Sequence, residues 1–477
     1  MAIILPANTL SAGGYAVDNS CRFNDGDSPS LSKTMVAGST DFAKKFTISV
    51  WFKLGATSGA RPICSFGSGT SNAIDLLIDT NSKATFESWD GSVNPKLATN
   101  RLLRDYSAWY NIIVVVDTTQ ATDTNRMKMY INGVQETSFA SSVYPSENYA
   151  FPNIASTSDT MKIGNGGQYS SNYYDGYIAE FCYCDGQVLA PTDFGEFDED
   201  SPTIWKPIDV SGLTFGNAGT YCDFKDSDNL GDDESGNTND LTENNIVATD
   251  QATDTPTNNF CTWNPLNISS MGTLSEGNCL ITGNSAANTG NVASTMAAAN
   301  GKWYAECKVG GTTGGYPRAG FQHTNGTNYG RQVNGTDGGA GGLTDSGAVY
   351  GSDGKKFVSD TLSTYGASFA NDNIVNLAID CDNGAAYVGV NNAWSNSSDP
   401  TSGASKTGAI LTWTPADVTE TGFAATTYNS SNLNFNFGNP AYANSSDAAD
   451  ADGYGKFEYA PPSGYFALCT KNLAEYG

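Results

Sequence analysis

Three stretches of this 477-residue chain carry side chains able to do chemistry, each of a different kind. His323 is the single histidine and the only candidate base for a Ser/Cys–His hydrolase. It lies in FQHTNGTNYG, a turn-rich run with no G-x-S-x-G elbow, and is expected on an exposed loop. One histidine also excludes a histidine-rich metal centre. Glu196-Phe197-Asp198-Glu199-Asp200 offers paired carboxylates, the minimum for glycoside hydrolysis, which needs two about 5–9.5 Å apart. Pro202 follows closely, and a charge run is usually solvated, so the expectation is a loop joining domains. Asp226-Ser227-Asp228-Asn229-Leu230-Gly231 opens like a calcium loop. Leu230 fills a ligand position, however, and Asn237 stands where the bidentate Glu belongs, which excludes an EF-hand. A looser calcium site from Asp223, Asp226, Asp228 and Asp232 stays open; otherwise no cofactor is expected.

Aromatic residues in turn-rich surroundings are the remaining signal. Trp89, Tyr173, Tyr174 and Trp394 lie among Gly, Asn, Ser and Asp, where a ring can stack on a sugar or a partner. The competing account is that each caps its own core. Trp51 and Trp303 fall inside strand-like runs and are expected in the core.

The elements that would position these residues are strands. In Asn371–Val390, Val375, Leu377, Ile379 and Cys381 sit two apart, Asn383-Gly384 follows, and a return run carries Tyr387 and Val388. Asn-Gly accepts the positive φ of a two-residue hairpin loop, and Met127–Ile131 followed by Asn132-Gly133 repeats the device. Further strands are expected over 46–52, 73–78, 110–116, 161–164, 176–181, 301–307 and 433–438. Gly (52) and Tyr plus Phe (24 and 22) are abundant and helical periodicity is missing, which favours antiparallel sheets joined by turns. The expected fold is all-β, with two antiparallel sandwiches in series. The first spans 1–200, an Asp/Asn-rich connector 201–290, the second 291–460 and a C-terminal tail 461–477. Within the connector, Phe215, Tyr221, Phe224, Leu241 and Ile246 could pin it to a neighbour.

Several landmarks fall in a familiar order. FTISVWFKL, Trp109-Tyr110 leading into VVVD, MKMYINGV, MKIGNGG and YDGYIAEF together resemble a laminin-G/concanavalin-like jelly roll over about 20–195. The resemblance implies a glycan- or protein-binding sandwich, sometimes with calcium. The acidic run at 196–200 resembles the E-x-D-x-E strand of jelly-roll glucanases but departs from it at Glu199 and Asp200. GKWYAE, then DNIVNLAIDCDNG, then NFNFG resembles the SPRY (B30.2-like) sandwich, which implies binding through loops and no catalysis. NSCRFNDGDSPSLSKT, TDFGEFDEDSPTIWKP, DTPTNNF and PPSGYFALCTKNLAEYG, with both domains, resemble virion structural or tail-fibre proteins of marine tailed bacteriophages. That resemblance implies a fibre, tail or head-surface component that attaches to a host-surface glycan or receptor and to other virion subunits. It also implies a homo-oligomer, trimers being common in such fibres. A decoration protein without glycan affinity and a jelly-roll hydrolase are the alternatives.

Charge narrows the partners. Lys plus Arg number 24 against 50 Asp plus Glu, a net −26, so nucleic acid and anionic lipid are repelled. No apolar run is long enough for a membrane helix. MAIILPANTLSAGG lacks a basic n-region and a continuous apolar core, so Sec export is not expected. The ten cysteines contain no CxxC pair, and several alternate with apolar strand residues; buried, reduced thiols are expected.

Overall fold

A computed structural model describes residues 14–55, 57–91, 94–154, 157–284, 289–312, 316–324, 347–358 and 361–477. Two compact units divide the chain between Thr257 and Asn258. The boundary corrects the expected 201–290 connector, which belongs partly to each unit. Thr220–Cys222 pairs with Gly176–Asp185, Thr242–Asn244 with Ser30–Thr34, and Gln251–Ala252 with Ser20–Phe23, all in the first unit. Trp263–Ile268, Gly272–Ser275 and Leu280–Gly283 are strands of the second. Phe215, Tyr221, Phe224, Leu241 and Ile246 are all buried, as their apolar character among polar neighbours suggested.

The first unit is a sandwich of two antiparallel sheets. One runs Val134–Gln135, Met127–Ile131, Trp109–Asp117, Lys45–Leu54, Gly176–Asp185, Ser20–Phe23, Gln251–Ala252. The other runs Phe139–Val143, Lys96–Thr99, Ala84–Trp89, Asn72–Ile78, Arg61–Gly69, Thr160–Ile163, Ser30–Thr34, Thr242–Asn244. Alternation aims Phe46, Ile48, Val50 and Phe52 from the first sheet at Ile74, Leu76, Phe86 and Ile163 from the second, one continuous core. Asn132-Gly133 makes the expected two-residue loop between Ile131 and Val134, with φ of 48° and 73°.

The second unit repeats the plan. A seven-stranded sheet containing Gly290–Ala298, Thr421–Thr427 and Arg318–His323 faces a nine-stranded sheet centred on Lys302–Gly311, Ile374–Asp380 and Ala385–Val390. Trp263, Trp303, Phe321, Leu377, Phe423 and Phe435 fill the space between them. The Asn383-Gly384 hairpin differs from expectation: Asp380 pairs with Ala385, so the loop has four residues. Only Gly384 takes positive φ (72°), while the Asp380 carboxylate accepts Asn383 N–H at 3.0 Å and Asn383 Nδ2 at 2.9 Å. An acidic residue at the strand end thus stabilises a wider turn than Asn-Gly alone would choose. The one α-helix among the described residues is Thr470–Tyr476.

Candidate functional site

The two sheets of the first unit differ in what covers their outer faces. Trp51, Trp109, Tyr177 and Trp205 pack together over one part of the Lys45–Leu54 sheet. Ile113, Cys182, Phe194, Phe215 and Tyr221 close another part. The outer face of the sheet containing Ala84–Trp89 is covered by the loop that follows Ile163, leaving Ser65 and Asp75 each 1% exposed. The strands of this sheet put Met161, Phe66, Ile74, Phe86 and Leu97 inward, so the residues between them point outward.

Register lines five of those outward residues up across five strands. Lys162 pairs with Ser65, Ser65 with Asp75, Asp75 with Glu87, and Glu87 with Lys96. This polar row holds the loop that follows Ile163. Asp75 accepts the N–H groups of Gly167 at 2.7 Å and Gln168 at 3.0 Å. Lys162 Nζ donates to Asn165 Oδ1 at 3.1 Å, and Ser65 Oγ donates to the Asn165 carbonyl at 2.9 Å. Glu87 takes the Tyr169 hydroxyl at 3.0 Å on one oxygen and Lys96 Nζ at 2.6 Å on the other. Burial pushes the Asp75 carboxyl up to about 6, partly offset by the two N–H bonds. Burial and the neighbouring Glu87 push the Tyr169 hydroxyl up as well. At Gly167 a methyl group would stand 2.5 Å from Ala73 Cβ, so only glycine lets the loop lie this close.

Trp89 stands two residues beyond Glu87 on the same strand and therefore on the same face, opposite Ala73. It is 40% exposed, an unusual position for an indole in a folded unit. Beside it, Tyr149 donates its hydroxyl to Asp90. The patch combines an accessible ring, a small neighbour, a carboxylate, an ammonium group and the half-buried Gln168 and Tyr169. It can stack on the apolar face of a pyranose ring and hydrogen-bond its hydroxyls.

Of the residues expected to bind, Trp89 lies on this face and Tyr173 on the loop that crosses it, half-buried and bridged to Asn165. Tyr174 does not belong with them. It is fully buried, its hydroxyl donates to the Lys53 carbonyl at 2.9 Å, and its ring meets Phe23 edge-on at 6.1 Å. It sits just before the Gly176–Asp185 strand, where alternation turns it inward. Trp394 is in the other unit, half-buried against the cluster of Phe260, Tyr304 and Tyr387. Glu87, Lys96 and Tyr169 escaped sequence reasoning. ATFESW does alternate, but which residues it faces depends on pairing with distant strands.

The calcium candidates do not converge. Asp223 accepts Lys225 N–H at 3.0 Å and pairs with Lys225 Nζ at 3.2 Å. Asp226 accepts Asp228 N–H at 2.9 Å, while Asn229 reaches Asp232 at 3.5 Å. Among the described residues no group of three or more His, Cys, Asp or Glu could hold a metal. Acid residues here close local turns, the ordinary use of Asp in such loops. Burial, Asp240 and Asp226 raise the Asp232 carboxyl.

The acidic run at 196–200 is not a loop between domains. Gly195–Phe197 pairs with Trp205–Pro207 in a two-stranded ribbon inside the first unit. Lys206 Nζ lies 3.4 Å from Glu196 and 3.5 Å from Asp198, and buried Asp198 accepts the N–H groups of Asp200 and Ser201. His323 is likewise corrected. It ends a strand, is 2% exposed, meets Thr421 Oγ1 at 2.9 Å and packs edge-on against Trp413 at 4.9 Å. A buried strand end held by two neighbours replaces the expected exposed loop.

Residues 27–187 match the family model for the concanavalin A-like lectin/glucanases superfamily, so the first unit carries a concanavalin-like domain. No curated protein matches the chain. Among solved structures, the SPRY domain of human HERC1 is 13% identical, covers 36% of this chain and 96% of its own, and has a TM-score of 0.27. The CBM40 of the Ruminococcus gnavus IT-sialidase bound to α2,3-sialyllactose is 17% identical, covers 34% and 95%, and scores 0.26. The heptameric SAP-like pentraxin of Limulus polyphemus is 14% identical, covers 37% and 79%, and also scores 0.26. At these scores the likenesses say nothing about what this chain binds.

Proposed function

We propose that this chain is a carbohydrate-binding attachment protein whose first unit grips a surface glycan at the exposed Trp89, beside the loop that covers its sheet face. The observation that carries the reading is Trp89, exposed on the same face as the Glu87–Lys96 pair. A ring on a flat, strand-built platform is preorganised for stacking and loses little entropy on binding. Binding without cleavage is favoured because the neighbouring acid, Asp75, is 1% exposed and gives both oxygens to backbone N–H groups. Hydrolysis would need that carboxyl at the scissile bond. No cofactor is required by this reading, and calcium has no assembled ligand set among the described residues.

The setting we infer is a virion surface, as a fibre, tail or head appendage made in the host cytoplasm. Support comes from the segments that resemble marine tailed-phage proteins and from the −26 charge, which disfavours nucleic acid as a partner. Other virion subunits and copies of this chain, three being the usual number in fibres, are its inferred protein partners. The SPRY-like reading of the second unit belongs to the same proposal. Binding of the full chain to a glycan array, repeated with Trp89→Ala, tests the core of it. Glycan signal lost in the variant supports attachment. A chain that binds no glycan would leave a purely structural decoration role, and sugar release lost in Glu196→Gln would point to an enzyme.

A further inference from the structure

The loop over the sheet face of the first unit seals a carboxyl beneath it. Asp75 points outward from the middle of the Asn72–Ile78 strand, yet it is 1% exposed. In place of water it has two backbone N–H groups of the loop, from Gly167 at 2.7 Å and Gln168 at 3.0 Å. Two such bonds replace only part of the hydration that an ionised carboxylate has in water.

The groups around Asp75 do not make up the rest. Directly across the strand pair stands Glu87, a like charge, whose oxygens take the Tyr169 hydroxyl at 3.0 Å and Lys96 Nζ at 2.6 Å. From Thr160–Ile163, Lys162 is the favourable charge, but its Nζ is bonded to Asn165 Oδ1 at 3.1 Å. Ser65, paired with Asp75 on the other side, gives its hydroxyl to the Asn165 carbonyl at 2.9 Å. Cys64 and Tyr169 are neutral, their protons held by burial first and by the nearby acids, Asp75 among them. Burial therefore outweighs the two N–H bonds and holds the Asp75 carboxyl at about 6. Lifting the loop would return it to water, where a carboxyl titrates near about 4. A proton thus binds the covered form more tightly than the uncovered one, and linkage makes it favour covering. That bias is complete below the uncovered value and is lost as pH rises through the covered one.

We propose that the loop is a proton-linked cover: protonated Asp75 holds residues 166–169 down on the sheet, and ionised Asp75 lets them lift, taking Tyr169 off Glu87. The consequence for sugar, which rests on the glycan reading above, is that affinity at Trp89 rises as pH falls from 8 to 5.

Hydrogen exchange of the full chain, read by mass spectrometry over residues 164–172 and corrected for the intrinsic pH dependence, tests the cover without any ligand. Protection should be about tenfold higher at pH 5 than at pH 8, the ratio that values of about 6 and 4 give. In Asp75→Asn, which cannot ionise, it should not change with pH. Should that variant fail to fold, Glu87→Gln decides, because removing the opposed acid should move the midpoint below about 6. Protection that is flat or rises with pH, a dependence that survives Asp75→Asn, or a midpoint unmoved by Glu87→Gln would overturn the cover. A glycan array run at pH 5 and pH 8 separates the two readings. No glycan bound at either pH would end the lectin reading and leave the exchange result to decide the cover. Glycan bound through Trp89 with flat protection would end the cover alone.

Discussion

Trp89 and Gly167 test the loop-covered face from two sides. Trp89→Ala removes the platform while leaving the core untouched, since the ring is 40% exposed. Glycan affinity should fall about tenfold or more, as for an aromatic anchor, with the melting temperature nearly unchanged. Gly167→Val acts on the loop instead. Its side chain would meet Ala73 Cβ, so Tyr169 should leave Glu87 and binding should weaken though Trp89 is intact. Equal affinity in Gly167→Val and the parent would show that the loop plays no part. Gly133 belongs to stability alone. At φ 73°, with Trp205 2.3 Å from where a Cβ would stand, Gly133→Val should cost more than about 1 kcal/mol, measured by denaturant unfolding.

Among the elements, hairpins and long strands were readable because the information is local. Phe46–Phe52, Met127–Ile131 and Ile374–Val390 carry alternation and turn residues within a few positions of each other. Three kinds of feature were not readable. Strands of two to four residues, such as Thr220–Cys222 and Gln251–Ala252, are too short to show a period, so the 201–290 stretch reads as a connector. The polar row beneath the loop depends on registers joining residues 65, 75, 87, 96 and 162, which no window of sequence contains. Aspartates that close turns and aspartates that bind calcium have the same local spacing, and only their bonding separates them. Truncation tests the element assignment. Residues 10–257 and 258–477 should each unfold cooperatively when made separately, whereas a fragment ending at residue 200 lacks three strands of its sheets and should not fold. A cooperative melt from the shorter fragment would restore the boundary expected from composition.

At the scale of the whole molecule, acidity and burial act together. Glu180, hydrogen-bonded by Tyr221 at 3.0 Å, and Glu306 are each pushed up to about 7 by burial, and Asp75 to about 6. Unfolded carboxyls titrate near about 4, so between roughly pH 4 and 7 the folded chain holds protons the unfolded chain has lost. The stability tied to those protons is complete below the unfolded value and disappears as pH rises through the folded one. Melting temperature should therefore fall between pH 5 and pH 8, by about 2–4 °C for each kcal/mol. A flat or rising profile would contradict the assignment. All ten cysteines are free and buried, so a reducing agent should leave that temperature unchanged; a marked drop would mean disulfides.

Sugar binding at the exposed Trp89 of the first unit is the claim on which the rest depends. Glycan-array binding of the full chain beside its Trp89→Ala variant measures this directly. The prediction is a defined set of bound glycans whose signal disappears with the indole. Binding that is undiminished in the variant would contradict it.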